Sequence, residues 1–200
     1  MKGTQMKHFF ILFALLFFLP NFLLGQDELT QTRAEEKMKP ALLVIDIQNA
    51  YLPQMSEDEK KFAMRVINGA IWYFRENNLP IIRVYHSDLR WGPDENSEDF
   101  KYPESVIIQD SDPIIHKHYP SAFTKTNLDE LLKEKGCNTI FLCGLSATAC
   151  VLATYYGGLD HGYKTYLIRE AIMSHNSTYT NVIKDICESV GFETMMQIFE

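Results

Sequence analysis

Short, unbroken apolar segments alternate with amphipathic segments along the chain from residue 40 onwards. The first apolar segment, residues 41–46, runs Ala-Leu-Leu-Val-Ile and ends in Asp46. A strand that is apolar on both sides is typical of a parallel sheet with both faces covered. Parallel strands need crossover connections, which the intervening helical segments supply. The pattern therefore predicts an α/β fold, a three-layer α/β/α sandwich around a mostly parallel, Rossmann-like central sheet.

The predicted elements follow one another without an internal repeat. Ser56 and Glu59 form a candidate capping box for a helix that continues to Asn77. Further strands are predicted at residues 80–86, 114–117, 138–143, 163–168 and 192–199. Further helices are predicted at residues 128–135, 148–159 and 179–190. Residues 87–103 are polar and contain Gly92 and Pro93, which predicts a long surface loop.

Composition restricts the class of protein. The 200 residues are 46% hydrophobic, 12% aromatic and 22% charged, with a formal charge of −7. This balance supports a packed core and excludes a disordered, collagenous or fully membrane-embedded chain. An acidic chain lacks the basic face that nucleic-acid binding requires, so no nucleic-acid partner is expected. Four cysteines are too few for a fold built on disulfides.

The N-terminus has the pattern of an export signal. Lys2 and Lys7 precede an apolar run over residues 9–19, and Gly25 leads into a polar segment. This order is typical of a secretory signal peptide. We expect residues 1–25 to be a signal peptide, residues 26–39 a flexible linker and residues 40–200 the folded domain. The protein is then exported, periplasmic or secreted, without membrane insertion of the mature domain; an uncleaved N-terminal membrane anchor is the alternative.

Three side chains suited to nucleophilic catalysis lie at or just beyond predicted strand ends. Asp46 ends the first strand, Lys117 ends the third, and Cys150 lies in the first turn of the helix after the fourth. The carboxyl ends of parallel strands line one edge of a sheet, where ligands bind. A cation and a helix N-terminus both favour a thiolate, and a carboxylate can move protons. The three residues are catalytic candidates, while packing residues can show the same spacing.

Three local motifs resemble those of the isochorismatase-like cysteine hydrolases. Residues 41–49, with Asp46-Ile47-Gln48, are similar to that family's first strand and D-x-Q motif. His116-Lys117, followed by Ser121-Ala122-Phe123, is similar to its lysine motif. Residues 144–151, Gly-Leu-Ser-Ala-Thr-Ala-Cys-Val, are similar to its nucleophile turn. The motifs stand in the family's order, and the resemblance covers about residues 40–200.

The resemblance implies a cysteine-dependent hydrolase with a catalytic triad. Cys150 would attack the carbonyl carbon of a small amide, imide or ureido compound, and Asp46 would carry protons. Lys117 would hold Cys150 anionic and orient Asp46. The backbone amides of Ser146 and Cys150 would form the oxyanion hole, after a cis peptide between Leu145 and Ser146. The resemblance also implies a homo-oligomer, a dimer or larger, and no metal or organic cofactor.

The chain departs from the family pattern in two places. Ala147-Thr148 replaces the Thr-Asp of many members, which changes the hydrogen bonds that support the turn. His86 and Asp88 reverse the D-x-H zinc motif of the family's nicotinamidases, which disfavours that activity. Two alternatives stay open. One is an isochorismatase-type ether hydrolase, which commonly lacks the cysteine, and the other is a non-catalytic small-molecule binding module on the same fold.

Six further residues are candidates for the walls of the substrate pocket: Gln48, Tyr51, His86, Trp91, Phe123 and Tyr155. His116 and His118 would point to one side of a strand, as metal ligands can, but no third ligand is evident nearby, so no metal site is predicted. Cys137, Cys143 and Cys187 lie in or beside core elements, where buried free thiols are favoured over a disulfide.

Overall fold

A six-stranded parallel sheet forms the centre of the part of the chain that the computed structural model describes, residues 37–88, 90 and 92–199. Its strands are β1 (Pro40–Ile45), β2 (Ile81–His86), β3 (Ile114–Lys117), β4 (Thr139–Gly144), β5 (Lys164–Ile172) and β6 (Ser189–Val190). They lie in the order β3-β2-β1-β4-β5-β6, and each neighbouring pair is parallel. This is the strand order of a Rossmann-like doubly wound sheet, as predicted. The predicted signal peptide, residues 26–36 of the predicted linker, and Trp91 lie outside the described residues.

Helices cover both faces of the sheet. They are α1 (Glu57–Glu76), α2 (Leu128–Glu134), α3 (Leu152–Asp160), α4 (Ser177–Ile186) and α5 (Phe192–Ile198), with a 3-10 helix at Leu52–Gln54 and a π-helix at Ala147–Val151. Helices α1 and α5 bury Phe74 and Met195 on one face. Helices α2, α3 and α4 bury Leu128, Tyr155 and Ile183 on the other face. The predicted three layers are therefore confirmed. None of the helices formed by the described residues has the length and apolar character needed to cross a bilayer.

Burial on both faces explains the unbroken apolar sequence of β1. All six of its residues are buried, because β2 and β4 flank it and helices cover it on both sides. Leu43 and Ile45 pack with the layer of α2, α3 and α4, whereas Leu42 and Val44 pack with the layer of α1 and α5. With every strand parallel, the polar residues that follow the strands meet at one edge of the sheet.

The C-terminal segment differs from its prediction. Residues 192–199, predicted as a strand, form α5 instead, and the preceding helix ends at Ile186 rather than at Val190. Only Ser189 and Val190 pair with β5. The apolar residues Phe192, Met195, Met196 and Phe199 recur at intervals of three and four and pack on one side of the sheet. That spacing belongs to a helix, so the interpretation as a strand was wrong.

The predicted capping box at the start of α1 is not formed. Ser56 is the N-cap, but its side chain makes no capping hydrogen bond. Its backbone amide donates to the Ser174 carbonyl oxygen at 2.9 Å. Glu59 accepts a hydrogen bond from the Thr180 hydroxyl at 2.9 Å instead. Residues after β5 thus provide the hydrogen-bond partners that the capping box would have provided, and they link α1 to α4.

All four cysteines are free thiols in the structure. Cys137, Cys143 and Cys187 are buried, and Cys150 is half-buried. Burial raises the pKa of the thiols of Cys137, Cys143 and Cys187. These three behave as small apolar core residues, whereas Cys150 stands apart in its exposure.

Candidate active site

A buried ion pair joins the ends of two strands. Asp46 follows β1 directly, and Lys117 is the last residue of β3. Lys117 Nζ donates a hydrogen bond to Asp46 Oδ2 at 2.8 Å. The two side chains are 0% and 2% exposed, respectively. Asp46 has a φ of 53°, a left-handed conformation that turns the chain at the strand end and that side chains rarely allow.

Cys150 lies next to this pair, on the π-helix that follows β4. Because Ile45 at the end of β1 pairs with Gly144 at the end of β4, the residues after the two strands are neighbours. The Cys150 sulfur lies within 4.8 Å of an Asp46 carboxylate oxygen. The helix predicted at residues 148–159 begins as the π-helix Ala147–Val151 and is an α-helix from Leu152 onwards. The three predicted catalytic residues come together at the edge of the sheet.

The close approach of β4 to β1 requires a glycine. Gly144 has a φ of +116°, and a Cβ built on it would lie 2.1 Å from the Ile45 carbonyl oxygen. No larger residue fits that distance. The peptide bond between Leu145 and Ser146 is cis, as the family resemblance implied.

The backbone amides of the turn after β4 differ in their hydrogen bonds. Ala147 donates its amide to Met173, and Val151 donates its amide to Ser146. Among the described residues, the Ser146 amide donates to no backbone carbonyl of the turns and loops, and the Cys150 amide donates to none outside the π-helix. These two amides are the donors that the family resemblance implied for an oxyanion hole.

Burial disfavours the thiolate form of Cys150. Burial raises its pKa to about 12, and the negative charge of Asp46 adds to the rise while Lys117 opposes it. Burial also raises the pKa of Asp46, again against the effect of Lys117. Lys117 lowers the pKa of Cys150, which is the direction expected of a residue that favours the thiolate, but its ammonium is also bonded to Asp46. A carboxylate with a raised pKa is a better acceptor for the thiol proton.

Gln48 supports the site rather than lining an open pocket. Its side-chain amide donates to the His86 carbonyl oxygen at 3.0 Å. The His86 backbone amide donates to Gln48 Oε1 at 2.7 Å. The side chain is fully buried. Both polar groups of Gln48 are thus engaged in holding the end of β1 to the end of β2.

Tyr51 and His86 lie beside the catalytic candidates, as predicted for pocket residues. One ring nitrogen of His86 is within 4.8 Å of both Asp46 and Cys150. Burial and the charge of Lys117 lower the pKa of His86 to about 4, so its ring is neutral at neutral pH. The Tyr51 ring lies 5.9 Å from the His86 ring. Burial, together with the charge of Asp46, raises the pKa of Tyr51.

Phe123 and Tyr155 are placed in the core instead. Phe123 is 7% exposed and Tyr155 is 4% exposed. The Phe123 ring stacks on His161 at 4.6 Å. The Tyr155 hydroxyl accepts a hydrogen bond from the Glu188 amide at 2.9 Å. Both aromatic side chains fill the layer between sheet and helices, where their apolar area is removed from water.

The sequence did not point to Tyr102, which supports the same edge of the sheet. Its buried hydroxyl lies 2.7 Å from the carbonyl oxygens of both Val44 and Val84. The Tyr102 hydroxyl thereby bridges β1 and β2 near the ends of both strands, just before the site. Nothing in the polar segment around Tyr102 distinguishes it from an exposed loop residue, so no local signal was available.

The active-site group also has the composition of a metal site. Asp46, His86 and Cys150 each offer a ligand atom, and these atoms lie within 4.8 Å of one another. The Lys117 ammonium is 2.8 Å from Asp46, however, and repels a second cation at this position. Asp88, the other residue of the reversed zinc motif, is not in the group. The arrangement favours proton transfer over metal binding.

Known proteins resemble this chain in sequence and in fold. The isochorismatase domain matches residues 40–191. Maleamate amidohydrolase from Pseudomonas putida is 34% identical over 158 residues, which span 70% of this chain and 74% of that protein. The isochorismatase family protein YddQ from Bacillus subtilis is 31% identical over 139 residues, 67% of this chain and 77% of YddQ. The crystal structure of an isochorismatase-like hydrolase from Alkaliphilus metalliredigens has a TM-score of 0.73 at 19% identity and covers 83% of this chain and 99% of that one.

Proposed function

Because this chain belongs to the isochorismatase family, whose members are hydrolases, we propose that it cleaves a C–N bond of a small amide, imide or ureido compound through a thioester on Cys150. The observation that carries the proposal is the buried Lys117–Asp46 ion pair at 2.8 Å, with the Cys150 sulfur beside it. A thiol needs a nearby base to become a nucleophile, and Asp46 is in the position of that base.

The reaction has two stages. The Cys150 thiol gives its proton to Asp46, and the sulfur attacks the carbonyl carbon, with the developing oxyanion held by the amides of Ser146 and Cys150. Asp46 then protonates the leaving nitrogen, the C–N bond breaks, and a thioester remains. In the second stage Asp46 takes a proton from water, which attacks the thioester; the acid leaves, and the proton returns to Cys150. Lys117 balances the charge of Asp46 throughout and keeps the carboxylate in place.

The chemistry of a relative supports the choice of an amide. Maleamate amidohydrolase, at 34% identity, takes its name from the hydrolysis of an amide. The presence of Cys150 also favours acyl transfer over ether cleavage, because a thioester can form only on an acyl group. Open-chain amides such as maleamate, ureido acids and cyclic imides therefore form the panel of substrates to screen.

Cys150→Ala tests this function directly. We expect the variant to lose ammonia release by at least about 1,000-fold, because it lacks the nucleophile. Cys137→Ala is the matched control, since it removes a buried thiol outside the site and should keep the activity. Mass spectrometry of the wild-type protein mixed with substrate should detect an acyl group on the peptide that contains Cys150.

The other outcomes distinguish the alternatives. Full amidase activity in Cys150→Ala would overturn the proposed mechanism. Turnover of an enol ether, retained in that variant, would identify an ether hydrolase. A protein that turns over neither class of substrate, and whose Cys150 does not react with iodoacetamide, would be a binding module.

A further inference from the structure

A second group of possible metal ligands lies apart from the active-site residues. Glu95 is in the loop after β2, His116 is in β3 and His118 follows β3. One ligand atom from each lies within 4.8 Å of the other two. Glu95 Oε1 is 3.4 Å from His116 Nδ1, which is long for a hydrogen bond and close to the roughly 3.3 Å between two ligands of a tetrahedral zinc ion. The third ligand that the sequence did not show comes from the loop.

The ring of His118 has the orientation of a metal ligand. Its Nδ1 lies 2.7 Å from the carbonyl oxygen of Ser87. A carbonyl oxygen only accepts hydrogen bonds, so Nδ1 carries the proton, and the lone pair is on Nε2. Histidines that bind metal commonly donate their second ring nitrogen to a backbone carbonyl or a carboxylate. The contact with Ser87 therefore selects the tautomer that a metal requires.

The ring of His116 has no strong hydrogen bond that competes with a metal. Its Nε2 is buried and has no hydrogen-bond partner among the described residues. Among the described residues, the polar contact of its Nδ1 is the long one with Glu95 Oε1. Nδ1 is the ring nitrogen that faces Glu95, so coordination would use Nδ1 and would leave the proton on Nε2.

The group lies on the face of the sheet opposite to Cys150. Side chains alternate along a strand, so His116 points away from the face that Ile115 and Lys117 share. The His116 ring packs on Phe100 at 5.2 Å, and Phe100 belongs to the layer of α1 and α5. Ile115 and Cys150 belong to the other layer. The Lys117 ammonium therefore lies on the other face of the sheet, although its positive charge still acts on His116.

We propose that Glu95, His116 and His118 bind one divalent transition-metal ion, of which zinc best suits two imidazoles and one carboxylate, with water completing the coordination. The half-exposed Glu95 side chain closes on the ion by rotation about its own bonds. The ion links the loop after β2 to β3, which is an edge strand and carries Lys117. Its role is to fix this loop and this strand, and the proposed hydrolysis does not pass through it.

Zinc binding by the purified protein tests the site. After removal of metal with a chelator, dialysis against zinc and elemental analysis should give one zinc ion per chain. His118→Gln and Glu95→Gln should each weaken binding by at least about ten-fold. His161→Gln changes an exposed histidine elsewhere and should bind as the wild type does. Cys150→Ala should also bind normally, since its thiol is on the other face.

Cobalt as the probe distinguishes the two groups of ligands. Bound at the proposed site, cobalt should show visible absorption without the strong near-ultraviolet band of a cobalt–thiolate bond. A thiolate band, or loss of binding in Cys150→Ala, would place the metal at the nucleophile and overturn the proposal. No binding by the wild-type protein, or unchanged binding in both His118→Gln and Glu95→Gln, would overturn it too. These readouts do not involve turnover, so they are independent of the proposed hydrolysis.

Discussion

Cys150, Asp46 and Lys117 form one electrostatic unit, in which the pKa values of Cys150 and Asp46 depend on their neighbours. Burial and the charge of Asp46 raise the pKa of Cys150, and Lys117 lowers it. Lys117 donates a hydrogen bond to Asp46 at 2.8 Å, so its positive charge acts mainly on that carboxylate. Burial and Asp46 thus favour the thiol form of Cys150, and Lys117 opposes them.

This arrangement predicts opposite effects of Asp46→Asn on two reactions. The variant loses the negative charge that raises the pKa of Cys150, and it leaves the Lys117 ammonium to stabilise a thiolate. Alkylation of Cys150 by iodoacetamide at about pH 8 should become faster, by up to about ten-fold for each unit by which the pKa falls. Amidase activity should fall by at least about 100-fold, because the base is lost. Mass spectrometry of the Cys150 peptide and an ammonia assay measure the two rates.

Asp58→Asn is the control for that experiment. Asp58 is exposed in the first turn of α1 and has no place in the site. Both rates should stay at the wild-type values. Slower alkylation in Asp46→Asn than in the wild type would show that the carboxylate does not hold the thiol in its protonated form. Circular dichroism checks that the variant, which leaves Lys117 without its partner, is still folded.

At the scale of the elements, the turn after β4 sets the geometry of the site. It contains Gly144, the cis peptide after Leu145, and the π-helix that carries Cys150. The conformation of this turn places Cys150 beside Asp46. The proposed oxyanion donors are backbone amides, so backbone conformation would set their positions.

We expect Gly144→Ala to disrupt this turn. The added Cβ would lie 2.1 Å from the Ile45 carbonyl oxygen, in a conformation with φ of +116°. β1 and β4 cannot move apart without breaking the hydrogen bonds between them. The variant should therefore lose at least about 3 kcal/mol of unfolding free energy, and its activity. Urea denaturation followed by fluorescence measures the stability.

Gly136→Ala provides the matched comparison. Gly136 also has a positive φ, +66°, but nothing lies within 4 Å of an added Cβ. Only the conformational cost remains, about 1–2 kcal/mol. Equal losses for the two variants would mean that contact with Ile45 contributes nothing at Gly144.

At the scale of the whole molecule, the predicted signal peptide concerns where the protein is located. We propose that residues 1–25 direct export and are removed. The mature chain would carry 17 basic and 26 acidic residues, a formal charge of −9. In the native host, the protein should be found outside the cytoplasm, and intact-mass spectrometry should give a chain that begins at Gln26. A chain that keeps residues 1–25 and sediments with membranes would support the anchored alternative, and a cytoplasmic full-length chain would contradict both.

The homo-oligomer implied by the family resemblance stays a prediction at the same scale. Light scattering on the purified protein measures the mass of the assembly directly.

The sequence by itself determined the fold class and the positions of the three catalytic candidates. Buried strands of a parallel sheet must be apolar throughout, so their pattern is local and readable, and the residues that end them must share one edge. Residues 192–199 are the exception: the segment is apolar enough to resemble a strand, but its apolar residues recur at intervals of three and four and form α5.

Only the tertiary structure decided how these residues act. The protonation of Cys150 depends on burial and on Lys117 from another strand, so no local pattern encodes it. The roles of Gln48, Phe123 and Tyr155 depend on which neighbours surround each side chain, and the sequence assigned all three to the pocket. Glu95 meets His116 and His118 only because the loop after β2 folds back onto β3. The periodicity of apolar residues shows which face of a helix or strand is buried. Protonation states and metal coordination depend instead on contacts between residues that are distant in the chain.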